Sequence, residues 1–372
     1  MTGRPPLRVG VIGVGGIAQM MHLPTLAERP DLFQIAALAD VSEKTLHAVG
    51  DRYDVATRVK DYRELLGRPD LDALLVFTSG CHRDAMLDLL KSDKHVFVEK
   101  PVAYSLKETE EVAQAARGRR GQLMVGYHKR FDPAYLRARD AVRAMRNLRY
   151  VEVTVLHPDD AAARTHHAVL PVSEKPWSPR PEADIDRGLA EHVATGAGAG
   201  CVDLMVGKQA PAAHRLGAYI LFDSLIHDVS AVRGILGEPE RVLSAHTWRG
   251  GMAQTSLTAF PKDVRVVMSW ISLPGVRLYE ERLRFVSPEM RVTLTFPSPY
   301  LRHFPTPLLI ERMDGTELVA EQRTVSYEEA FRAEMHYFRA CIAEGRPASP
   351  TLEDALGDAR WIQQIAEAYA PR

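Results

Sequence analysis

Three side chains in this sequence could act together on a hydroxyl group. Lys100 stands in Glu99-Lys100-Pro101, directly after the strand-like run His95-Val96-Phe97-Val98. A lysine at the carboxyl end of a parallel strand points into the crevice where α/β folds bind ligands. There its ammonium can hold an oxygen that is losing its proton. Asp223 and His227 lie four residues apart and would share one face of a helix. An imidazole near a carboxylate titrates close to neutrality and can take or return that proton. Each reading has a plain alternative. Lys100 could be a surface lysine paired with Glu99. The Asp223–His227 pair could be a surface pair, a buried histidine satisfied by backbone, or part of a helical metal site. No convincing third ligand accompanies the pair, so no metal is expected.

The elements that must position these groups follow from periodicity. Arg8 to Gly13 is a β-branched apolar run, as in a strand buried on both faces. It leads into Gly13-Val14-Gly15-Gly16-Ile17-Ala18, which fits G-x-G-x-x-A at the opening of a helix. Gly13 permits a tight turn, Gly15 lets backbone approach a pyrophosphate, and Ala18 lets helix pack on strand. Pro24 predicts a kink or break near Leu23. A second strand, Gln34 to Ala39, ends in Asp40, which can accept from ribose hydroxyls and would repel a 2′-phosphate. NAD is therefore expected over NADP, unless Asp40 merely caps the helix starting near Ser42. Strands at Asp72–Thr78, His95–Val98 and Gln122–Gly126 alternate with helices at His82–Lys91 and Ser105–Arg117. That alternation predicts a doubly wound parallel sheet over residues 1–127.

In the second half, Leu221, Leu225, Val229, Val232 and Leu236 recur at helical spacing across Ala218–Leu236, ended by Gly237 and Pro239. Strand character marks Tyr150–Leu156, Arg265–Leu273, Glu281–Val286 and Arg291–Phe296. In the last of these, Val292, Leu294 and Phe296 alternate with polar residues, the period of a half-exposed sheet. Two helices, near Tyr327–Glu344 and Leu352–Tyr369, close the chain, with a turn at Gly345–Pro350.

At 372 residues the chain has room for two domains. Its 46% hydrophobic and 26% charged residues and net charge of -1 are those of an ordinary globular protein. Neither nucleic acid nor an anionic membrane is an expected partner. Without a signal-peptide pattern, a cytoplasmic location is expected. Cys81, Cys201 and Cys341 match no zinc or redox spacing and are expected to be separate free thiols.

Taken in order, the glycine turn, His82-x-Asp84-Ala85, Lys94-His95-Val96, Glu99-Lys100-Pro101, the run Gly126 to Pro133 and Asp223-x-x-x-His227 resemble the glucose–fructose oxidoreductase / inositol dehydrogenase (Gfo/Idh/MocA) family. The resemblance implies a Rossmann domain (1–127) followed by an α/β domain (128–372) with a large open, mostly antiparallel sheet. It implies an NAD(P)-dependent oxidoreductase moving a hydride between nicotinamide and a secondary alcohol or ketone of a sugar, cyclitol or related polyol. A cofactor-sensing protein of the same fold without turnover is the alternative, and an aromatic diol or amino sugar stays open as substrate.

The resemblance makes Lys100, Asp223 and His227 catalytic. We assign Gly13, Gly15, Gly16, Ile17, Asp40, Thr78, Ser79, His82, Glu99, Lys100 and Pro101 to the cofactor. Lys100, His128, Arg130, Tyr219, Asp223 and His227 are assigned to the substrate. Two departures from the family stand out. Gly217-Ala218-Tyr219 replaces a glycine run, and residues 157–216 form an insertion, with His166-His167, Trp177 and the glycines of Gly196–Gly200, that could be a lid or an arm toward another subunit. An open sheet face needs covering, so a homo-oligomer, dimer or tetramer, is expected through it.

Overall fold

The computed structural model describes residues 4–158, 164–171, 182–195, 199–276 and 278–369. Trp177 and residues 196–198 of the insertion lie outside the described residues.

Near-continuous apolar runs form the first sheet. Its strands are β1 (Leu7–Ile12), β2 (Phe33–Ala39), β3 (Thr57–Val59), β4 (Ala73–Val76), β5 (His95–Glu99) and β6 (Leu123–Gly126), all parallel, in the order β3-β2-β1-β4-β5-β6. Chain direction through the sheet reverses between β1 and β4, the switch point where such sheets bind ligands beyond their carboxyl ends. Helices fall where the pattern puts them, at Glu43–Arg52, Arg83–Leu89 and Leu106–Ala115. Ser42 and Ser105 accept the first-turn N–H groups of two of them. The predicted break near Leu23 takes the form of a π turn, Ala18–His22, passing into the α-helix Leu23–Ala27 with Pro24 in its first turn.

The second sheet has eight strands in the order β14-β13-β12-β11-β7-β10-β9-β8. They are β7 (Tyr150–His157), β8 (Arg241–Trp248), β9 (Ala253–Phe260), β10 (Val264–Ser272), β11 (Glu280–Val286), β12 (Met290–Phe296), β13 (Pro307–Asp314) and β14 (Glu317–Thr324). All its pairs are antiparallel except β7 with β10. One face is core, carrying Val151, Val153, Leu283, Phe285, Val292 and Leu294. Glu152, Thr154, Arg282, Arg284 and Thr293 alternate with these on the other face.

The expected single helix over Ala218–Leu236 is corrected. An α-helix, Ala212–Ile220, runs into a π turn, Leu221–Leu225, before the helix Ile226–Leu236. The helix Ala330–Glu344 follows the second sheet in the chain, yet its Met335, Phe338 and Cys341 pack with Val9, Val11 and Phe97 of the first. The last helix, Leu352–Glu367, opens on a capping box between Thr351 and Asp354. No helix among the described residues is long and apolar enough to cross a membrane.

Candidate active site

The glycine turn is shaped as its sequence requires. Gly13 has φ +86°, and a Cβ there would lie 2.6 Å from the Thr78 backbone nitrogen. A Cβ on Gly15 would meet nothing within 4 Å, so the turn presents bare backbone to open space. This is the cradle a pyrophosphate needs, and the residues present fit a dinucleotide. Asp40, at the end of β2, accepts from Val14 N at 2.9 Å and from Ser42 N at 2.8 Å. Ser42, not Asp40, supplies the side-chain cap of the next helix. The Asp40 carboxylate is thereby held against the turn.

Thr78 and Ser79 continue β4 at the rim of the same crevice, Thr78 half-buried and Ser79 exposed. Three residues assigned to the cofactor are instead buried supports. His82 is fully enclosed between Pro101 O at 2.6 Å and Thr78 O at 2.8 Å, so it ties the loop after β4 to the loop after β5. Pro101 is buried and takes part through that carbonyl. Glu99 accepts the Lys100 N–H at 3.1 Å and pairs with His22 at 2.7 Å. His22 in turn stacks on Phe77 at 3.9 Å. Glu334 packs behind this pair, and burial, then the Glu99 charge, raises its carboxyl well above the usual range.

Glu99 is therefore not the partner of the Lys100 side chain. Lys100 Nζ donates to the backbone carbonyl of Asp223 at 2.8 Å, across the crevice from the first sheet to the π turn of the second domain. The Asp223 carboxylate accepts Tyr104 OH at 2.9 Å and Tyr219 OH at 3.4 Å. The two phenol rings stack at 5.1 Å and 7°. Among the described residues no bond joins that carboxylate to His227.

His227 meets the edge of His128 at 4.9 Å, and His128 stacks on Phe331 at 4.2 Å. Both imidazoles titrate well below their ordinary value. Burial is the first cause for each, followed by Lys129 for His128 and by Lys100 for His227. The Nδ1 atom of His227 is buried and has no hydrogen-bond partner among the described residues. The ring is therefore neutral, and its unpartnered nitrogen is where a proton could be taken, although burial and the Lys100 charge weaken it as a base.

Two corrections and two additions complete the site. Arg130 is not with this group: its guanidinium bonds Asp354 on the last helix at 2.8 Å. The cysteines are not all separate, because Cys81, Cys201 and Glu108 offer ligand atoms that all lie within 4.8 Å of one another. The additions are Lys129 and Tyr104. Lys129 is buried against Asp228 at 3.6 Å and against Glu281, and burial lowers its ammonium to about 8. Its place in the run Gly126 to Pro133 was a usable signal for Lys129; nothing in the sequence marked Tyr104. Of the insertion, Leu170 exchanges two bonds with the Gln19 side chain, 2.8 and 2.7 Å. Residues 164–171 thus dock beside the glycine turn.

Residues 7–127 match the model of an oxidoreductase family with an NAD-binding Rossmann fold. That match, to the nucleotide-binding domain of the Gfo/Idh/MocA oxidoreductases, takes in about a third of the chain. Its sequence relatives include a myo-inositol 2-dehydrogenase of Thermotoga maritima, 31% identical over 37% of this chain and 40% of that protein. Another is an inositol 2-dehydrogenase/D-chiro-inositol 3-dehydrogenase of Shouchella clausii, 35% identical over 37% and 40%. The alignments span about two fifths of the curated relatives' length.

Likeness of fold extends further. The 3-ketoreductase KijD10 of Actinomadura kijaniata, solved with NADP, superimposes with TM-score 0.72 over 98% of this chain and 100% of its own, at 21% identity. Aldose-aldose oxidoreductase from Caulobacter crescentus gives 0.72 over 98% and 97%, at 19% identity. Both domains therefore share the fold of these two oxidoreductases.

Proposed function

We propose that this protein is an oxidoreductase that transfers a hydride between a nicotinamide cofactor and a secondary alcohol or ketone of a sugar, cyclitol or related polyol. The observation that carries this reading is the bond between Lys100, at the end of β5, and the Asp223 carbonyl. It brings the Lys100 ammonium to the π turn that carries Asp223, four residues before His227. The relatives named inositol dehydrogenase act on the same kind of carbon centre.

In this reading Gly13, Gly15, Gly16 and Ile17 hold the pyrophosphate, with Thr78 and Ser79 along the same rim. The bound nicotinamide supplies the hydride acceptor or donor. Lys100 gives up its carbonyl partner to bind the reacting oxygen and to stabilise its negative charge. His227 takes the hydroxyl proton at its ring nitrogen and returns it in the reverse direction. Asp223, held by two tyrosine hydroxyls, binds a neighbouring substrate hydroxyl rather than orienting His227. Tyr219 and His128 line the pocket, and Tyr219 narrows it where the family has glycine. Asp40 favours NAD over NADP by hydrogen-bonding the ribose and repelling a 2′-phosphate. The polar face of the second sheet is the surface through which copies of the chain would associate.

Fluorescence titration with NADH and NADPH, followed by a polyol and sugar panel read at 340 nm, tests the proposal. Tight NADH binding with turnover on a panel member is expected. Binding without turnover on any polyol, sugar or ketone would turn the reading toward a cofactor sensor, and absence of binding would end it.

A further inference from the structure

Cys81, Glu108 and Cys201 come from three separate segments. Cys81 follows the Thr78–Ser79–Gly80 loop after β4, Glu108 is in the first turn of the helix Leu106–Ala115, and Cys201 is on the helix Ala199–Val206 of the insertion. Their two sulfurs and a carboxylate oxygen lie within 4.8 Å of one another. The Cys201 thiol donates to Glu108 Oε1 at 3.7 Å. A tetrahedral zinc ion with Zn–S of about 2.3 Å and Zn–O of about 2.0 Å separates such a sulfur and oxygen by roughly 3.5 Å. The observed separation is already close to that edge.

Charge points the same way. Glu108 takes the Ser105 hydroxyl at 2.8 Å on its other oxygen, and no ion pair reaches it among the described residues. The donor set is thus a carboxylate and two ionisable thiols without a compensating cation. Two sulfurs with one oxygen suit a thiophilic divalent cation and exclude the all-oxygen preference of magnesium or calcium. Cys201 is buried, whereas Cys81 is exposed, which leaves a path for the ion and a fourth ligand position open to water.

We propose that Cys81, Glu108 and Cys201 form a binding site for a zinc-class divalent cation, which clips the insertion to the cofactor-facing edge of the nucleotide-binding domain. Both thiols give up their protons on binding, and three protein ligands with one water complete the ion's shell. The clip lies beside the substrate wall, because Tyr104 and Tyr219, which hold Asp223, are neighbours of Cys81 and Cys201 respectively in space. The site uses none of the residues proposed for hydride transfer, so it stands or falls independently of that function.

The test uses the full-length protein, reduced and freed of metal with a chelator, then titrated with Zn²⁺ against a chromophoric competitor and with Co²⁺ as an optical probe. One metal per chain is expected, with thiolate-to-cobalt charge-transfer absorption and a melting temperature that rises with Zn²⁺ concentration. Loss of a mere supporting partner typically costs metal sites about 10–100-fold in affinity. Cys81→Ser and Cys201→Ser are therefore expected to weaken binding by about 100-fold or more, and Glu108→Gln by about 10-fold or more. Absence of the cobalt charge-transfer band in the wild-type protein would overturn the proposal without recourse to any variant. So would zinc affinity unchanged in folded Cys81→Ser and Cys201→Ser proteins. A Cys81–Cys201 disulfide in the untreated protein, with no zinc bound after reduction, would overturn it in favour of a redox pair.

Discussion

The wall of the crevice proposed for the cofactor and the wall proposed for the substrate are held in different ways. On the cofactor wall, Gly13, Asp40 and Thr78 stand at the ends of parallel strands, and their contacts are to backbone close by. Asp40 bonds Val14 N and Ser42 N, and His82 bonds two carbonyls. On the substrate wall, Asp223 and His227 sit in and just beyond a π turn. They meet side chains from distant segments, Lys100, Tyr104 and His128, and Tyr219 from one turn back. A wall pinned by backbone tolerates side-chain change except where a side chain meets the ligand. A wall pinned by side chains passes on each change to its neighbours. The two should therefore respond differently to mutation.

Lys100→Ala, at the seam of the two walls, gives the largest effect. Turnover is expected to fall by about 10²–10³-fold, the usual loss for one electrostatic stabiliser of a developing oxyanion. NADH affinity, measured by fluorescence, should stay within a few-fold. Equal losses in binding and turnover would erase the distinction between the walls.

The pH response sharpens it further. His128 and His227 both titrate well below 6.5 in the folded protein. As pH falls through 6.5 the unfolded chain takes up these protons while the folded one does not. Stability is thus fully present above that pH and declines below it, by up to about 1.4 kcal/mol per pH unit for each histidine. Urea midpoints from pH 7.5 down to about 5 measure the slope, and His227→Asn should make it shallower. kcat/KM should pass through pH 6.5 without the inflection of an ordinary histidine. An inflection there would mean that His227 is not the base.

Asp40→Ala probes the cofactor wall alone. NAD affinity should drop about 10-fold, the effect of roughly 1.4 kcal/mol of hydrogen bonding, with kcat at saturating cofactor unchanged. Unaltered discrimination between NADH and NADPH would remove Asp40 from recognition. The smallest change expected is in Tyr104→Phe. Loss of one hydroxyl to the Asp223 carboxylate should raise KM for the substrate by about 3–10-fold and leave NADH binding untouched.

How much of this was legible follows from the same contrast. The glycine turn, Asp40 and the Lys100 strand end could be read because strand, turn and helix start are local, and their residue types are dictated within a few positions. β3, β8, β9, β13 and β14 were missed, since they are short or lack clean alternation. The π turn at Leu221–Leu225 was missed because a helical apolar pattern does not reveal one added residue. Arg130 was misplaced because its basic side chain says nothing of where a carboxylate such as Asp354 will lie.

Sequence alone determined that residues 7–127 form a parallel nucleotide-binding domain, and that a lysine stands at a strand end and an aspartate and a histidine four apart near a helix start, because those depend on local spacing. Only the tertiary structure decided what each of them touches. Lys100 meets a carbonyl 123 residues away rather than its neighbour Glu99, and Asp223 meets two phenols rather than His227. Cys81 and Cys201 share a corner with Glu108. Such contacts arise when separate apolar faces are buried against one another. The polar groups carried along must then find partners wherever packing brings them.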